Sequence, residues 1–239
     1  MNWILQPLAF AQLGKKGYDG LFGKDKSADF SSPNGIEALS RYDQLTPYWT
    51  PGTQSLDVDQ ADQTFAQGKA AFDVGGTFTL AFLQQNGMKH DDVYAFGLPA
   101  PEHGAVPDLA LAPMALTGVT LSSASKQPEN AKEWMEFLSE KQVAAGFATD
   151  ATDLPATDLG ADAAKALGPT LDSMLQTFKG APGTTYDPNL NQNIQAPGYE
   201  QNDVGDILAD LTPLGRASVA DTARKISELN QSYWKAAGQ

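Results

Sequence analysis

Apolar residues recur along this chain at two spacings, one helical and one strand-like. Ser32 stands before Pro33, with Ile36, Leu39 and Leu45 on one side, which predicts a helix capped by the serine hydroxyl with proline in its first turn. The stretch PYWTPGT (47–53) stops it. Asp59 opens a second short helix with Ala61 and Phe65 inward, and Gly68 stands where a left-handed C-cap belongs. Ala70, Phe72 and Val74 then alternate, which is strand spacing.

Residues 79–85 read as helix, 93–98 (VYAFGL) as a buried strand, 99–108 as a proline-rich loop and 114–121 as a further strand. SKQPENAKEWMEFLSEK follows, with Ser125 ahead of the helix, Pro128 in its first turn and Ala131, Trp134, Met135 and Leu138 on one face. That face predicts burial, so Trp134 is expected in a core. Residues 149–163 form an acidic, turn-rich crossing, and 179–202 a long loop without periodicity. Residues 203–211 predict a short helix. Ser218 and Asp221 make a capping pattern for a last one, with Val219, Ala223, Ile226, Leu229 and Tyr233 inward. Strands interleaved with helices favour an α/β architecture.

Charge narrows the partners. With 29 acidic against 16 basic residues, the net charge of -13 repels nucleic acid and anionic membrane surfaces. Nucleic acid is not an expected partner. The absence of cysteine removes disulfides, thiolate metal sites and cysteine nucleophiles. MNWILQPLAFAQ lacks a basic leader and is interrupted by Gln6 and Pro7, so no signal peptide is expected in this chain. No transmembrane helix is expected either, since 109–121 is too short and is broken by Pro113.

Catalytic signatures fail one by one. GYDGLFGK (17–24) carries one residue too many for a phosphate loop, and Asp25 replaces the hydroxyl residue that would hold magnesium. DVDQADQTFAQG (57–68) begins like a calcium loop, yet Asp62 replaces the glycine and Gly68 the bidentate glutamate. His90 and His103 lie in polar loop sequence, without metalloprotease spacing. The pairs Asp91–Asp92 and Asp150/Asp153 sit in turn-rich segments rather than in a glycosidase arrangement. No metal or cofactor is expected, and the chain does not read as an enzyme.

What remains is a set of aromatics beside turns: Trp3, Tyr48, Trp49, Phe78, Phe82, Tyr186 and Tyr199. They fall outside the helical stripes and so read as a binding surface, of the kind on which sugar C–H faces stack. The amides Asn191, Gln192, Asn193, Gln195, Gln201 and Asn202 are either hydroxyl partners or a solvated loop.

Four segments together resemble the family 1 extracellular solute-binding proteins, the maltose-binding-protein-like receptors of ABC importers: FAQGKAAFDVGGTF (65–78), FGLPAP (96–101), SKQPENAKEWMEFLSE (125–140) and LPAT (154–157). The resemblance implies an α/β, type II periplasmic-binding-protein fold. It also implies a carbohydrate ligand, permease subunits as partners and an extracytoplasmic location for the parent receptor. Gly76, Thr77 and Phe78 would line the ligand cleft, the glycine letting backbone approach and Phe78 stacking; the alternative is a strand end packed under a helix. By the same resemblance Tyr199 and Trp3 offer further rings, Asp57, Asp59 and Gln201 polar contacts, and Thr117 a contact from the opposite lobe.

The lobe that family members carry ahead of the Trp3 segment has no counterpart. The chain is therefore expected to hold a C-terminal lobe over 1–109 and 156–239, with 110–155 as an excursion belonging to the otherwise missing N-terminal lobe. Apolar faces of the excursion would then be uncovered, and self-association through them is expected. A scaffold that keeps the fold without a ligand is the second reading, and a glycoside hydrolase a distant third.

Overall fold

The computed structural model describes residues 2–89, 92–113, 118–160, 168–181 and 183–238. The expected contact Thr117, the start of the expected strand at 114–121, and His90 and Asp91 lie outside them. The chain divides into two compact units. The first comprises Met1–Asp57, Gly97–Ala112 and Phe178–Gln239, the second Val58–Phe96 and Pro113–Thr177. This grouping differs from the expected lobes at 58–96 and 156–177.

The first unit is built on helices α1 (Asn2–Leu21), α2 (Pro33–Asp43), α8 (Gln201–Leu211) and α9 (Val219–Ala236). Its core takes Leu5, Phe10, Tyr18 and Leu21 from α1, Leu39 and Tyr42 from α2, Val204, Leu208 and Leu211 from α8, and Ala223 and Ile226 from α9. Within α2, α8 and α9 these positions recur at three- and four-residue steps, so one stripe of each is removed from water. α1 runs through Pro7 and kinks at Gly14, whose φ of 67° is left-handed. The kink leaves the carbonyls of Ala11 and Gln12 to accept from the backbone N–H groups of Val106 (2.9 Å) and Ala105 (3.1 Å), which ties residues 105–106 to the helix.

Caps hold as expected. Ser32 Oγ accepts from Gly35 N at 3.3 Å, and Ser218 Oγ accepts from Asp221 N at 3.1 Å while donating to the Asp221 carboxylate at 2.8 Å. Buried Asp29 accepts from Ser31 N at 2.8 Å and from the Ser227 hydroxyl, pinning the 22–32 loop to α9.

The sheet is smaller than the sequence predicts. Among the described residues it consists of β1 (Ala110–Leu111) and β2 (Thr185–Tyr186), paired in parallel with Ala110 opposite Thr185. Residues 70–74, 93–98 and 118–121 are not strands, which corrects three expectations. Phe72 is 74% exposed, and Tyr94, expected on a buried strand, is 77% exposed. A strand exists only where a second backbone completes its ladder, and apolar alternation does not supply the partner. The expected loop 179–202 is likewise more ordered, holding β2 and a 3₁₀ segment at Pro188–Asn193.

The second unit holds α3 (Val58–Ala66), α4 (Thr79–Gln85), α5 (Pro128–Ser139), α6 (Lys141–Ala151) and α7 (Pro169–Gln176). α3 packs on α4, and α5 on α6. Trp134 is 52% exposed, against its expected place in a core, while Ala131, Met135 and Leu138 are half-buried. The stripe is a true helix face, with α6 packed against α5, and the tryptophan at its margin stays half in water. No helix among the described residues is long and apolar enough to cross a membrane.

Candidate functional site

The sequence places Gly75 and Gly76 ahead of Phe78, and the structure gives each glycine a steric reason. A Cβ on Gly75 would stand 2.3 Å from Thr79 Oγ1, and one on Gly76 2.4 Å from Phe78 Cε1. Backbone bonds from Thr79 N to Gly76 O and from Leu80 N to Thr77 O, both 3.1 Å, wind 76–80 into the start of α4. The Phe78 ring thus folds back over the bare Cα of Gly76. It is 37% exposed, so part of the ring stays available to solvent.

Beside this turn lies a partner that sequence reasoning did not assign to it. The Thr77 hydroxyl donates to Asp153 Oδ1, which also accepts from Leu154 N at 2.8 Å. The neighbouring Thr152 is buried, has a left-handed φ of 53°, and donates to Gln84 Oε1 at 3.0 Å. Two hydrogen bonds therefore hold residues 152–153 against the 77–84 segment. A separation of 76 residues hides that pairing from any local pattern.

A second polar feature of this unit joins α3 to residue 73. Asp62 is only 4% exposed and shares a hydrogen bond with Asp73. Burial, then that hydrogen bond and the charges of Asp73 and Asp59, push its carboxyl up to about 7. Asp73 Oδ1 accepts from Val74 N at 2.9 Å, whereas its buried Oδ2 has no donor among the described residues unless Asp62 is protonated.

The remaining expected site residues are distributed over both units. In the first, Trp3 is exposed on α1, Asp57 is exposed, and Gln201 is exposed in the first turn of α8. Tyr199 is half-buried, its ring edge-on to Phe22 at 5.9 Å and tilted on Tyr233 at 5.6 Å, and burial pushes its hydroxyl upward. In the second, Asp59 is exposed in the first turn of α3, and Gly76, Thr77 and Phe78 form the turn described above.

Two of the turn-flanking aromatics read as surface are not. Tyr186 is buried, and its hydroxyl donates to Gln6 Oε1 at 2.8 Å. It belongs to a network in which Tyr18 donates to Asn191 Oδ1 at 2.9 Å and Asn191 Nδ2 donates to Tyr186 at 3.0 Å. Burial raises both phenols, so they stay neutral donors. Half-buried Trp49 donates from its indole to Thr212 Oγ1 at 2.8 Å. Position beside a turn says nothing of burial when the ring's polar edge finds a partner. A cleft of about 130 Å³ adjoins the tyrosine network, with Lys15 and Asp19 paired at 2.5 Å among its lining, but the rings of Phe10, Tyr18 and Tyr186 there are buried against one another. Among the described residues no group of three or more acidic or histidine side chains is placed to hold a metal.

Known proteins resemble this chain in sequence and in fold. The family model for bacterial extracellular solute-binding proteins matches residues 2–145. The maltodextrin-binding protein MdxE of Bacillus subtilis (strain 168) is 30% identical over 149 residues, covering 59% of this chain and 34% of that protein. A solved chitin oligosaccharide binding protein matches with a TM-score of 0.73 at 15% identity, over 98% of this chain and 57% of its own. The second likeness is one of α/β solute-binding fold. This chain spans about a third of the length of the first relative and somewhat over half of the second.

Proposed function

We propose that this chain, which belongs to the bacterial extracellular solute-binding protein family, binds an oligosaccharide as part of a receptor for an ABC importer, using the Phe78 ring as a stacking platform. The observation that carries the reading is the turn at 75–78. It holds an aromatic partly open to solvent, at the cost of two glycines that the ring and Thr79 force on the sequence. A sugar presents an apolar face to such a ring and directs its hydroxyls sideways toward polar groups. The two named relatives bind a maltodextrin and a chitin oligosaccharide, which makes maltotetraose and chitotetraose the probes of choice. Trp3, Asp57, Asp59, Thr117, Tyr199 and Gln201 are proposed as further contacts, each testable by a single substitution. The lobe assignment (1–109 with 156–239, and 110–155 as excursion), the permease partners and an extracytoplasmic parent belong to the same proposal.

Calorimetric and NMR titration of both tetrasaccharides tests it. Phe78→Ala should weaken binding by about 1–3 kcal/mol, the range for truncating a contact aromatic, with little change in the unfolding transition. The reading fails if neither sugar binds the wild-type chain at millimolar concentration, or if Phe78→Ala binds as the wild type does.

A scaffold role is the second reading, and a specific observation favours it. Trp134 and Phe137 of α5 and Phe147 of α6 are each about half exposed, an apolar display that suits association with a second copy.

A further inference from the structure

We propose that Asp153 is the specificity-determining acceptor of the Phe78 site, taking a hydroxyl of the sugar that stacks on the ring. This rests on the reading of Phe78 as a carbohydrate platform and names the polar group that would select among ligands there. The two oxygens of this single carboxylate divide the labour. Oδ1 is occupied twice, by the Thr77 hydroxyl and by Leu154 N, so the side chain is held in one orientation. Oδ2 accepts nothing among the described residues, and it is not one of the buried oxygens left without a donor. It is therefore an acceptor in reach of solvent, on a half-buried residue whose rotamer is fixed.

Its neighbourhood supports a ligand role over a purely structural one. Thr77, which orients the carboxylate, is the residue next to Phe78, so the ring and the hydroxyl that holds the acceptor are carried by one short turn. Residue 152 is anchored independently through Gln84. Among the described residues no lysine or arginine is paired with Asp153. A carboxylate with a free, oriented oxygen and no cation suits a neutral hydroxyl donor, because a charged acceptor makes a stronger hydrogen bond than a neutral one without demanding a charged ligand. The ligand class is thus a neutral polyol, and an acidic sugar is disfavoured by repulsion.

The test uses Asp153→Asn. The amide keeps an oxygen for Thr77 and Leu154 N, but turns the ligand-facing group from acceptor to donor. Binding of maltotetraose and chitotetraose should weaken about 10- to 100-fold for the better ligand, as expected on loss of a hydrogen bond to a charged group, with the melting temperature kept. Thr77→Val, which frees the carboxylate to rotate, should weaken binding by a smaller factor without moving the pH profile of binding. The inference is overturned if Asp153→Asn binds as the wild type while Phe78→Ala does not; that result leaves the platform intact and removes only the acceptor. If neither Phe78→Ala nor Asp153→Asn alters a measurable wild-type affinity, or if the wild type binds neither sugar, both the platform and the acceptor are overturned.

Discussion

Replacing Asp62 by Asn should stabilise the second unit in mildly alkaline buffer and bring no gain in acid. In the folded chain the Asp62 carboxyl is held up at about 7, against an ordinary value of 3.8 in the unfolded chain. Between those values the folded state binds the extra proton, so stability falls as pH rises from about 4 to about 7 and is level above. At about 1.4 kcal/mol per pH unit, the full displacement corresponds to about 4 kcal/mol as a ceiling. Solvent around half-buried Asp73 screens the pair, which lowers the expected figure to about 1–2 kcal/mol. An asparagine at 62 removes the repulsion and still donates to the buried Asp73 Oδ2. The assay is urea unfolding of wild type and variant at several pH values from about 5 to 8. Far-UV circular dichroism follows both units, and Trp134, the tryptophan of the second unit, gives a local fluorescence signal. The reasoning fails if the variant is no more stable than the wild type at about pH 8, or if the difference between them stays constant over the range.

Three further outcomes are expected. Gly35→Ala should cost the first unit several kcal/mol, since a Cβ there would lie 2.2 Å from the backbone oxygen of Phe30, whereas Gly146→Ala in exposed α6, with nothing within 4 Å, should stabilise by about 0.5–1 kcal/mol; thermal melts compare the two. Ser227→Ala takes a donor from the fully buried Asp29 carboxylate and should lower stability by about 1–3 kcal/mol, with Ser227→Thr recovering part of it in the same denaturant titration. Light scattering should show concentration-dependent association that the double change Trp134→Ser and Phe137→Ser reduces; a wild-type monomer at high concentration that binds no apolar dye would count against it.

The sequence by itself determined the helices and their punctuation. Ser32 with Pro33, Pro128, and Ser218 with Asp221 all stand where helices begin, residues 79–85 are α4, and Gly68 has the left-handed φ of 69° expected beyond α3. These succeed because a helix closes its hydrogen bonds within four residues, and its caps lie in the same short window. The family was legible for a related reason. Four short blocks in fixed order survive in the chain, and the family match over residues 2–145 takes in three of them.

Tertiary structure alone decided the rest. Residues 70–74 alternate and 93–98 form an apolar run, yet neither has a ladder, while Ala110–Leu111 and Thr185–Tyr186, more than seventy residues apart, have one. Trp134 stays half in water because burial depends on what is packed opposite a helix face. Tyr186 is buried because Gln6 and Asn191 satisfy its hydroxyl, a condition invisible beside a turn. The Phe78 turn was readable as a place, from its glycines. Its partner Asp153, and the carboxyl pair of Asp62 and Asp73, emerge only when folding brings distant backbone together and removes water between the side chains, which is where a hydrogen bond acquires its energy.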